Sequence, residues 1–242
     1  MLLPRRRSCP IPSQPPAPRQ VDHPLCARLY ARQSQQAERL GLAARRAQLV
    51  DGLTGRILEI GAGNGLNFAH YPAAVTEVVA AEPERHLRAL AERAAPGAPV
   101  PVTVIDAAAE ELPFSDGAFD AAVASLVLCS VENVEIALAE LRRVLRPDGE
   151  LRFLEHVASP RSATRAIQRA ADASVWPRVS GGCHLARETD RLIEAAGFVV
   201  ESCERFTFRI PPLDPPKTHV LGVARSARQA PGHAADRSPA AA

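Results

Sequence analysis

Three glycines at alternate positions, Gly61, Gly63 and Gly65, form the pattern in this sequence that bears most directly on chemistry. They follow a short apolar run, where a buried strand would turn into the next element. Glycine lets the backbone approach a ligand closely, and the N-terminus of a following helix favours a negative group. The spacing is not the dinucleotide fingerprint G-x-G-x-x-G, because Leu66 stands where that pattern has its third glycine. We therefore predict a cofactor-binding turn, with the acid Glu59 just ahead of it.

A second acid, Glu82, ends the next apolar run, about twenty residues after the turn, where doubly wound folds place an acid on ribose hydroxyls. The alternative is a surface carboxylate that caps the helix predicted to begin at Pro83. Because the glycine turn and the acid occur together, we predict that Glu82 binds ribose.

Two histidines are the candidate catalytic residues, because imidazole can act as a general base near neutral pH. His156 ends a predicted strand, and its alternative interpretation is a histidine satisfied by hydrogen bonds there. His184 follows a glycine pair, which indicates a close approach of the backbone to a ligand.

The cysteines indicate neither a disulfide framework nor a metal site. They contain no C-x-x-C pair, and no combination with histidine has zinc-ligand spacing. We interpret them as reduced, mostly buried thiols and predict no bound metal. There are five: Cys9, Cys26, Cys129, Cys183 and Cys203.

Apolar runs alternate with helical stretches, which predicts a doubly wound α/β sheet around one core. The predicted strands are residues 56–60, 77–81, 100–105, 121–125, 150–156, 198–203 and 219–224. The predicted helices are residues 84–95, 134–145 and 187–196, with a helical stretch over 24–50 expected to pack across the top edge of the sheet. The long connection 158–186 is interpreted as a lid or pocket wall.

Composition limits the classes of function. The 242 residues are 46% hydrophobic and 23% charged, which is typical of one large domain, here predicted over residues 23–225 between disordered tails at 1–22 and 226–242. Twenty-nine basic against 27 acidic residues are too balanced for a nucleic-acid binder. No apolar run approaches the ~20 residues of a membrane span. An arginine run interrupts any secretory segment, so we expect a cytoplasmic protein.

Several motifs, taken in order, resemble those of the class I S-adenosylmethionine-dependent methyltransferases, in the ubiquinone-biosynthesis-like branch. They are residues 59–65, Glu82, residues 110–114 with 119–120, and residues 145–150. Narrower motifs are similar to the methyltransferase-like thiol S-methyltransferases and their bacterial relatives: residues 67–68 with 71–72, 126–131, 153–157, 182–185 and 187–189. The resemblance covers residues 24–225 and is specific for the cofactor more than for the acceptor.

The resemblance implies a seven-stranded sheet with an antiparallel last strand and S-adenosylmethionine as cofactor. The positions that match its cofactor motifs are Glu59, Gly61, Gly63, Asn64, Gly65, Asn67, Glu82, Pro83, Ala109, Glu110, Ser125 and Leu126. The turn would hold the methionine part and Glu82 the ribose. Ala108 stands where the branch often has an aspartate, so either Asp106 or the Ala109 backbone with Glu110 would read adenine.

We predict methyl transfer to a small acceptor, with a thiol as the first candidate. The sulfonium carries its own leaving group, so the protein mainly positions donor and acceptor. One alternative is an NAD(P)-dependent oxidoreductase, which Leu66 and Glu59 disfavour. The other is a cofactor-binding regulatory protein without turnover. The acceptor, the presence of a true base and the oligomeric state stay open.

Overall fold

The computed structural model describes residues 24–211 and 215–226. The tails predicted at residues 1–22 and 226–242 lie outside these ranges, except for Ser226. Ser226, which we assigned to the second tail, is instead the last residue of a strand, where it pairs with Phe198. Within the described ranges, no helix combines the length and the apolar character needed to cross a membrane.

The seven strands form one sheet in the order β3-β2-β1-β4-β5-β7-β6. All are parallel except β7, which runs antiparallel to both β5 and β6. This confirms the predicted doubly wound α/β fold with an antiparallel last strand. The strands are β1 Gly55–Ile60, β2 Val75–Ala81, β3 Val102–Ile105, β4 Phe119–Ser125, β5 Leu145–Val157, β6 Phe198–Phe208 and β7 Lys217–Ser226.

The sheet is buried on both faces, which explains why its central strands are continuous apolar runs. One core layer packs Leu58 and Phe153 against the helix that holds Leu138. The other packs Ile57 against Leu49 of the N-terminal helices. The carboxyl ends of the parallel strands meet at one edge of the sheet, where doubly wound folds bind ligands.

In the part of the chain that the structure describes, seven α-helices accompany the sheet: α1 Pro24–Ala37, α2 Ala43–Val50, α3 Arg85–Ala94, α4 Val134–Val144, α5 Ser162–Asp172, α6 Trp176–Val179 and α7 Thr189–Ala195. A short π-helical segment, Glu38–Leu42, joins α1 to α2 and contains Gly41 at φ 111°. The predicted start of α3 is one residue early because Glu84 is its N-cap and lies outside the helical backbone.

The connection over residues 158–186 is not a bare loop, since it contains α5 and α6. Sequence reasoning missed α5 because its buried face is narrow: within it only Gln168 is buried, and Ile167 is 70% exposed. The usable signal was its content of alanine, arginine and glutamine, which are good helix formers.

A second difference lies at the end of α4, which we predicted to run to residue 145, with the next strand beginning only at residue 150. The helix ends earlier, at Val144, and β5 begins at Leu145, which pairs with Phe119. Asp148 adopts a positive φ of 64° inside this irregular start of the strand.

Candidate active site

The glycine turn after β1 needs glycine for steric reasons. Gly61, Gly63 and Gly65 have φ values of 57°, 58° and 78°, in the region that side chains rarely adopt. A Cβ added at Gly61 would overlap Val127, lying 2.7 Å from its Cβ, and one at Gly65 would lie 2.7 Å from Phe68 Cε2. The turn therefore packs directly against the segment that follows β4.

No α-helix follows this turn, which corrects the expectation of a helix N-terminus there. The chain instead makes a single 3₁₀ turn, Phe68–His70, before β2. Phe68 and Tyr71 of this connection are buried in the core layer that contains Ile57 and Leu49. Attraction of an anion by a helix dipole therefore plays no part at this turn.

Glu82 reaches from the end of β2 to the glycine turn. Its Oε2 accepts the Gly63 N–H at 2.7 Å, and its Oε1 accepts the Glu84 N–H at 2.9 Å. Burial raises the pKa of Glu82 to about 7, against the effect of these two hydrogen bonds. The capping alternative falls to Glu84, whose Oε2 accepts the Leu87 N–H at 2.7 Å. Glu82 is thereby free of a capping role and directed at the turn.

Glu59 supports the turn from within the protein. It is 1% exposed, and its two oxygens accept hydrogen bonds from Asn67 Nδ2 at 2.8 Å and the Tyr71 hydroxyl at 2.7 Å. Burial raises the pKa of Glu59 to about 7, and both hydrogen bonds oppose that rise. Its contacts make Glu59 a residue that positions Asn67. Asn64, also in the turn, donates to Ser34 at 3.2 Å.

Arg46 of α2 is a site residue that sequence reasoning missed. It is 3% exposed, and its Nη1 donates to Asn67 Oδ1 at 3.0 Å and to Ser125 Oγ at 2.9 Å. The helical stretch over residues 24–50 therefore reaches the carboxyl ends of β1 and β4. Nothing in the sequence separates Arg46 from its neighbour Arg45, since only the rotation of α2 decides which one faces the sheet.

On the other side of Glu82, the two candidates for adenine recognition have different surroundings. Asp106 forms an ion pair with Arg88 at 2.9 Å. The same guanidinium donates to the backbone oxygens of Glu82 and Pro83, both at 2.9 Å. Glu110 instead accepts the Asn133 N–H at 3.2 Å, next to the start of α4. Arg88 thus ties Asp106 to the strand end that carries Glu82.

The segment after β4 is held in an unusual conformation by a buried acid. Leu126 has a φ of 58°, rare for a side-chain-bearing residue and found at constrained sites. Glu155, which is fully buried, accepts the N–H groups of Val127, Leu128 and Cys129 at 3.0, 2.9 and 3.3 Å. Burial raises the pKa of Glu155 well above its usual range.

His184 lies against this same segment. Its backbone N–H donates to the Cys129 carbonyl oxygen at 2.9 Å, and its ring atom Nδ1 lies 3.2 Å from Arg187 Nη2. Arg187 also donates to the carbonyl oxygen of Leu128, at 2.6 Å. The interaction between the neighbouring Cys129 and Cys183 thiols raises the pKa of Cys129 and lowers that of Cys183.

His156 has quite different neighbours. It is 3% exposed on β5 and stands opposite His219 of β7, with the ring centroids 5.7 Å apart. His219 in turn stacks on Phe206 at 5.5 Å, and Arg45 lies 4.3 Å above that phenylalanine ring. The two candidate histidines therefore belong to different clusters. Among the residues described, no set of three or more His, Cys, Asp or Glu side chains is arranged to hold a metal.

Comparison with known proteins identifies the family. Residues 58–153 match the family described as a methyltransferase domain. A thiol S-methyltransferase of Homo sapiens is 35% identical over 185 residues, which make up 72% of this chain and 74% of that protein. The chain belongs to the class I S-adenosylmethionine-dependent methyltransferases. A demethylmenaquinone methyltransferase of Thermus thermophilus is 35% identical over 128 residues, or 52% of this methyltransferase and 58% of that one.

Solved structures agree with the fold of this methyltransferase. A geranyl diphosphate C-methyltransferase of Streptomyces coelicolor, in complex with S-adenosyl-L-homocysteine, superposes with a TM-score of 0.58 at 14% identity. The match covers 76% of this chain and 77% of that chain. At this identity the likeness concerns the fold alone.

The residues at the carboxyl ends of β1, β2 and β4 fit S-adenosylmethionine, the cofactor of this methyltransferase. The glycine turn is a cradle that Cβ atoms would fill, because they would collide with Val127 and Phe68. Glu82 is a buried carboxylate at the position suited to ribose hydroxyls. These features together could hold the amino-acid and ribose parts of the cofactor.

Proposed function

We propose that this methyltransferase transfers the methyl group to the sulfur of a small thiol. The observation that carries the proposal is the 35% identity to a thiol S-methyltransferase over 74% of that protein's length. The similarity to the demethylmenaquinone methyltransferase covers only 52% of this chain, so a quinol acceptor has weaker support.

The packing around the glycine turn supports the same acceptor. Segments that carry the resemblance to the thiol S-methyltransferases, residues 126–131 and residues 182–185 with 187–189, are distant in sequence but pack together. They are joined by the hydrogen bond from His184 to Cys129 and those from Arg187 to Leu128 and Val131. The first of them touches the turn at Gly61 through Val127. An acceptor site lined by the apolar side chains of these segments, beside the methionine part of the cofactor, would suit a small, soft nucleophile.

The proposed reaction is an in-line displacement. The bound cofactor supplies an activated methyl group and its own leaving group. The thiolate sulfur forms a bond to the methyl carbon as the carbon–sulfonium bond breaks, giving a methyl thioether and S-adenosylhomocysteine. The thiol proton is lost to solvent beforehand, since a thiol with a pKa of ~8.5 is partly ionised near neutral pH.

We propose that His184 stabilises the thiolate as a hydrogen-bond donor. Arginine can only donate, so the contact from Arg187 Nη2 makes His184 Nδ1 the acceptor and leaves the ring proton on Nε2. In that tautomer the imidazole offers an N–H to the sulfur. The positive charge of Arg187 next to it also favours the thiolate over the thiol. His156 remains the second candidate, within the His219 and Phe206 cluster.

The test is a panel of acceptors with labelled S-adenosylmethionine. We expect methylation of simple alkyl and aryl thiols, and little of the matching alcohols and phenols, which differ only in the attacking atom. Turnover of a phenol or quinol with no methylation of any thiol would reject the thiol assignment. The formal charge of +2 favours such small acceptors over nucleic acid. The cytoplasmic location stays a prediction.

A further inference from the structure

A buried, positively charged side chain stands at the glycine turn without an assigned role. Arg46 is 3% exposed, and an arginine is almost never so deeply buried unless its charge and its donors are matched. Its Nε donates to Glu38 Oε1 at 2.8 Å, and that acid is 16% exposed. An apolar residue could anchor α2 to the sheet equally well. The buried charge of Arg46 therefore indicates a role beyond packing.

The hydrogen bonds of Arg46 fix the plane of its guanidinium. Of its five N–H donors, the one on Nε meets Glu38, and Nη1 meets both Asn67 and Ser125. The two remaining donors are on Nη2. Tyr30 lies near the same guanidinium: burial raises the pKa of Tyr30, and the positive charge of Arg46 opposes that rise. A guanidinium held in this way is pre-organised, so it loses little entropy when it binds a carboxylate.

Arg46 and Tyr30 lie where the amino-acid end of the cofactor is expected to bind. Asn67 follows the glycine turn and Ser125 ends β4, so the guanidinium lies between the carboxyl ends of β1 and β4. The Tyr30 ring lies above the turn itself, because a Cβ built on Gly63 would come within 3.3 Å of its Cε1.

The local charges indicate why a cation is needed there. The turn is flanked by the carboxyl groups of Glu38, Glu59 and Glu82, which would repel the carboxylate of a bound methionine group. Two further arginines at this edge are engaged elsewhere: Arg88 pairs with Asp106 on the far side of Glu82, and Arg187 donates to the carbonyl oxygens of Leu128 and Val131. Arg46 is thus the cation that faces the methionine side of the turn.

We propose that Arg46 and Tyr30 form the binding site for the α-carboxylate of the methionine part of S-adenosylmethionine. The inference rests on the cofactor of the family and is independent of the methyl acceptor. It assigns a purpose to α1 and α2, which supply this subsite from outside the sheet. Glu38 keeps the guanidinium charge paired when the cofactor is absent.

Two ligands that differ only in this carboxylate test the proposal: S-adenosylmethionine and its decarboxylated form. Their dissociation constants are measured by calorimetry with the full chain. Arg46→Met should weaken S-adenosylmethionine binding about tenfold or more, as expected for loss of a charge-assisted pair. The affinity for the decarboxylated form should stay the same. Equal losses for both ligands would show a structural role and overturn the proposal.

Milder variants keep the test decisive if Arg46→Met does not fold. Arg46→Lys keeps the charge but loses the planar fork, and Tyr30→Phe removes one hydroxyl, so each should weaken only S-adenosylmethionine binding. The matched control is Arg45→Met, at the adjacent position, where the side chain contacts Phe206 and Glu204 instead. Arg45→Met should leave the ratio of the two affinities unchanged. Wild-type protein that binds both ligands equally well would also overturn the proposal.

Discussion

The backbone N–H of Gly63 donates to the Glu82 carboxylate at 2.7 Å, which joins the turn after β1 to the end of β2. This hydrogen bond holds the glycine turn, which is expected to bind the methionine part of the cofactor, against Glu82, which is expected to bind its ribose. It also explains how a carboxyl group that is 5% exposed is tolerated at a ligand site.

Replacing Glu82 should weaken cofactor binding without unfolding the protein. Glu82→Gln loses the charge that strengthens two hydrogen bonds to ribose, so we expect the affinity for S-adenosylhomocysteine to fall about tenfold or more. Because the pKa of Glu82 is about 7, the wild-type affinity should rise as the pH increases through that value. Calorimetry between pH 6 and 8 (about one unit either side of that pKa) measures both effects. An unchanged affinity in the folded variant would contradict the ribose assignment.

Gly61→Ala should be strongly destabilising, because a Cβ there meets both a steric and a conformational penalty. The new atom would overlap Val127, and the φ of 57° is costly for alanine. We expect a loss of about 1–3 kcal/mol or more in the free energy of unfolding, measured by urea denaturation. Adding Val127→Ala should restore the steric part only. If the double variant is no more stable than Gly61→Ala, the contact with Val127 is not the cause.

The stability of the cofactor-free protein should fall as the pH rises from about 4.5 to about 7. Glu59 and Glu82 both have pKa values raised from 4.5 to about 7 in the folded state, so the native protein holds more protons than the unfolded chain in that window. Each shift corresponds to about 3 kcal/mol at most. Glu155 contributes in the same direction.

The variant that isolates this effect is Glu59→Gln. Its amide can still accept from Asn67 and donate to the Tyr71 hydroxyl oxygen, but it does not titrate. Chemical denaturation at several pH values should give a flatter dependence than in the wild type. Glu77→Gln, at a half-exposed acid on β2, is the control and should leave the slope as it is. A slope unaltered by Glu59→Gln would show that Glu59 titrates normally.

The two candidate histidines should differ in kinetic effect. We expect His184→Ala to lower kcat for a thiol about tenfold or more while cofactor affinity is kept, because one hydrogen bond to a charged sulfur is lost. His156→Phe should have the smaller effect, since a ring there still packs against His219. Activity of the wild type should rise with pH toward the pKa of the thiol. The reverse order of the two losses would assign the catalytic role to His156.

The sequence by itself determined the sheet and, through its resemblance to a known family, the antiparallel last strand and the cofactor. Strands buried on both faces are continuous apolar runs, and the glycines at 61, 63 and 65 are required by local backbone geometry, so both signals are present in short stretches of chain. The acid at 82 was recognisable for the same reason, because one short connection and the strand β2 set its distance from the turn.

The tertiary structure alone decided which polar residues from distant segments complete the site. Arg46 and Tyr30 come from helices that precede the sheet, and only the packing of α1 and α2 turns them toward Asn67 and Gly63. The contact of His184 with Cys129 likewise depends on how the connection after β5 folds back. The tertiary structure also decides the role of Glu59. Its side-chain hydrogen bonds to Asn67 and Tyr71 are made inside the protein, so it supports the turn. Such contacts span large sequence separations and leave no periodic signal, because they arise from the docking of whole elements.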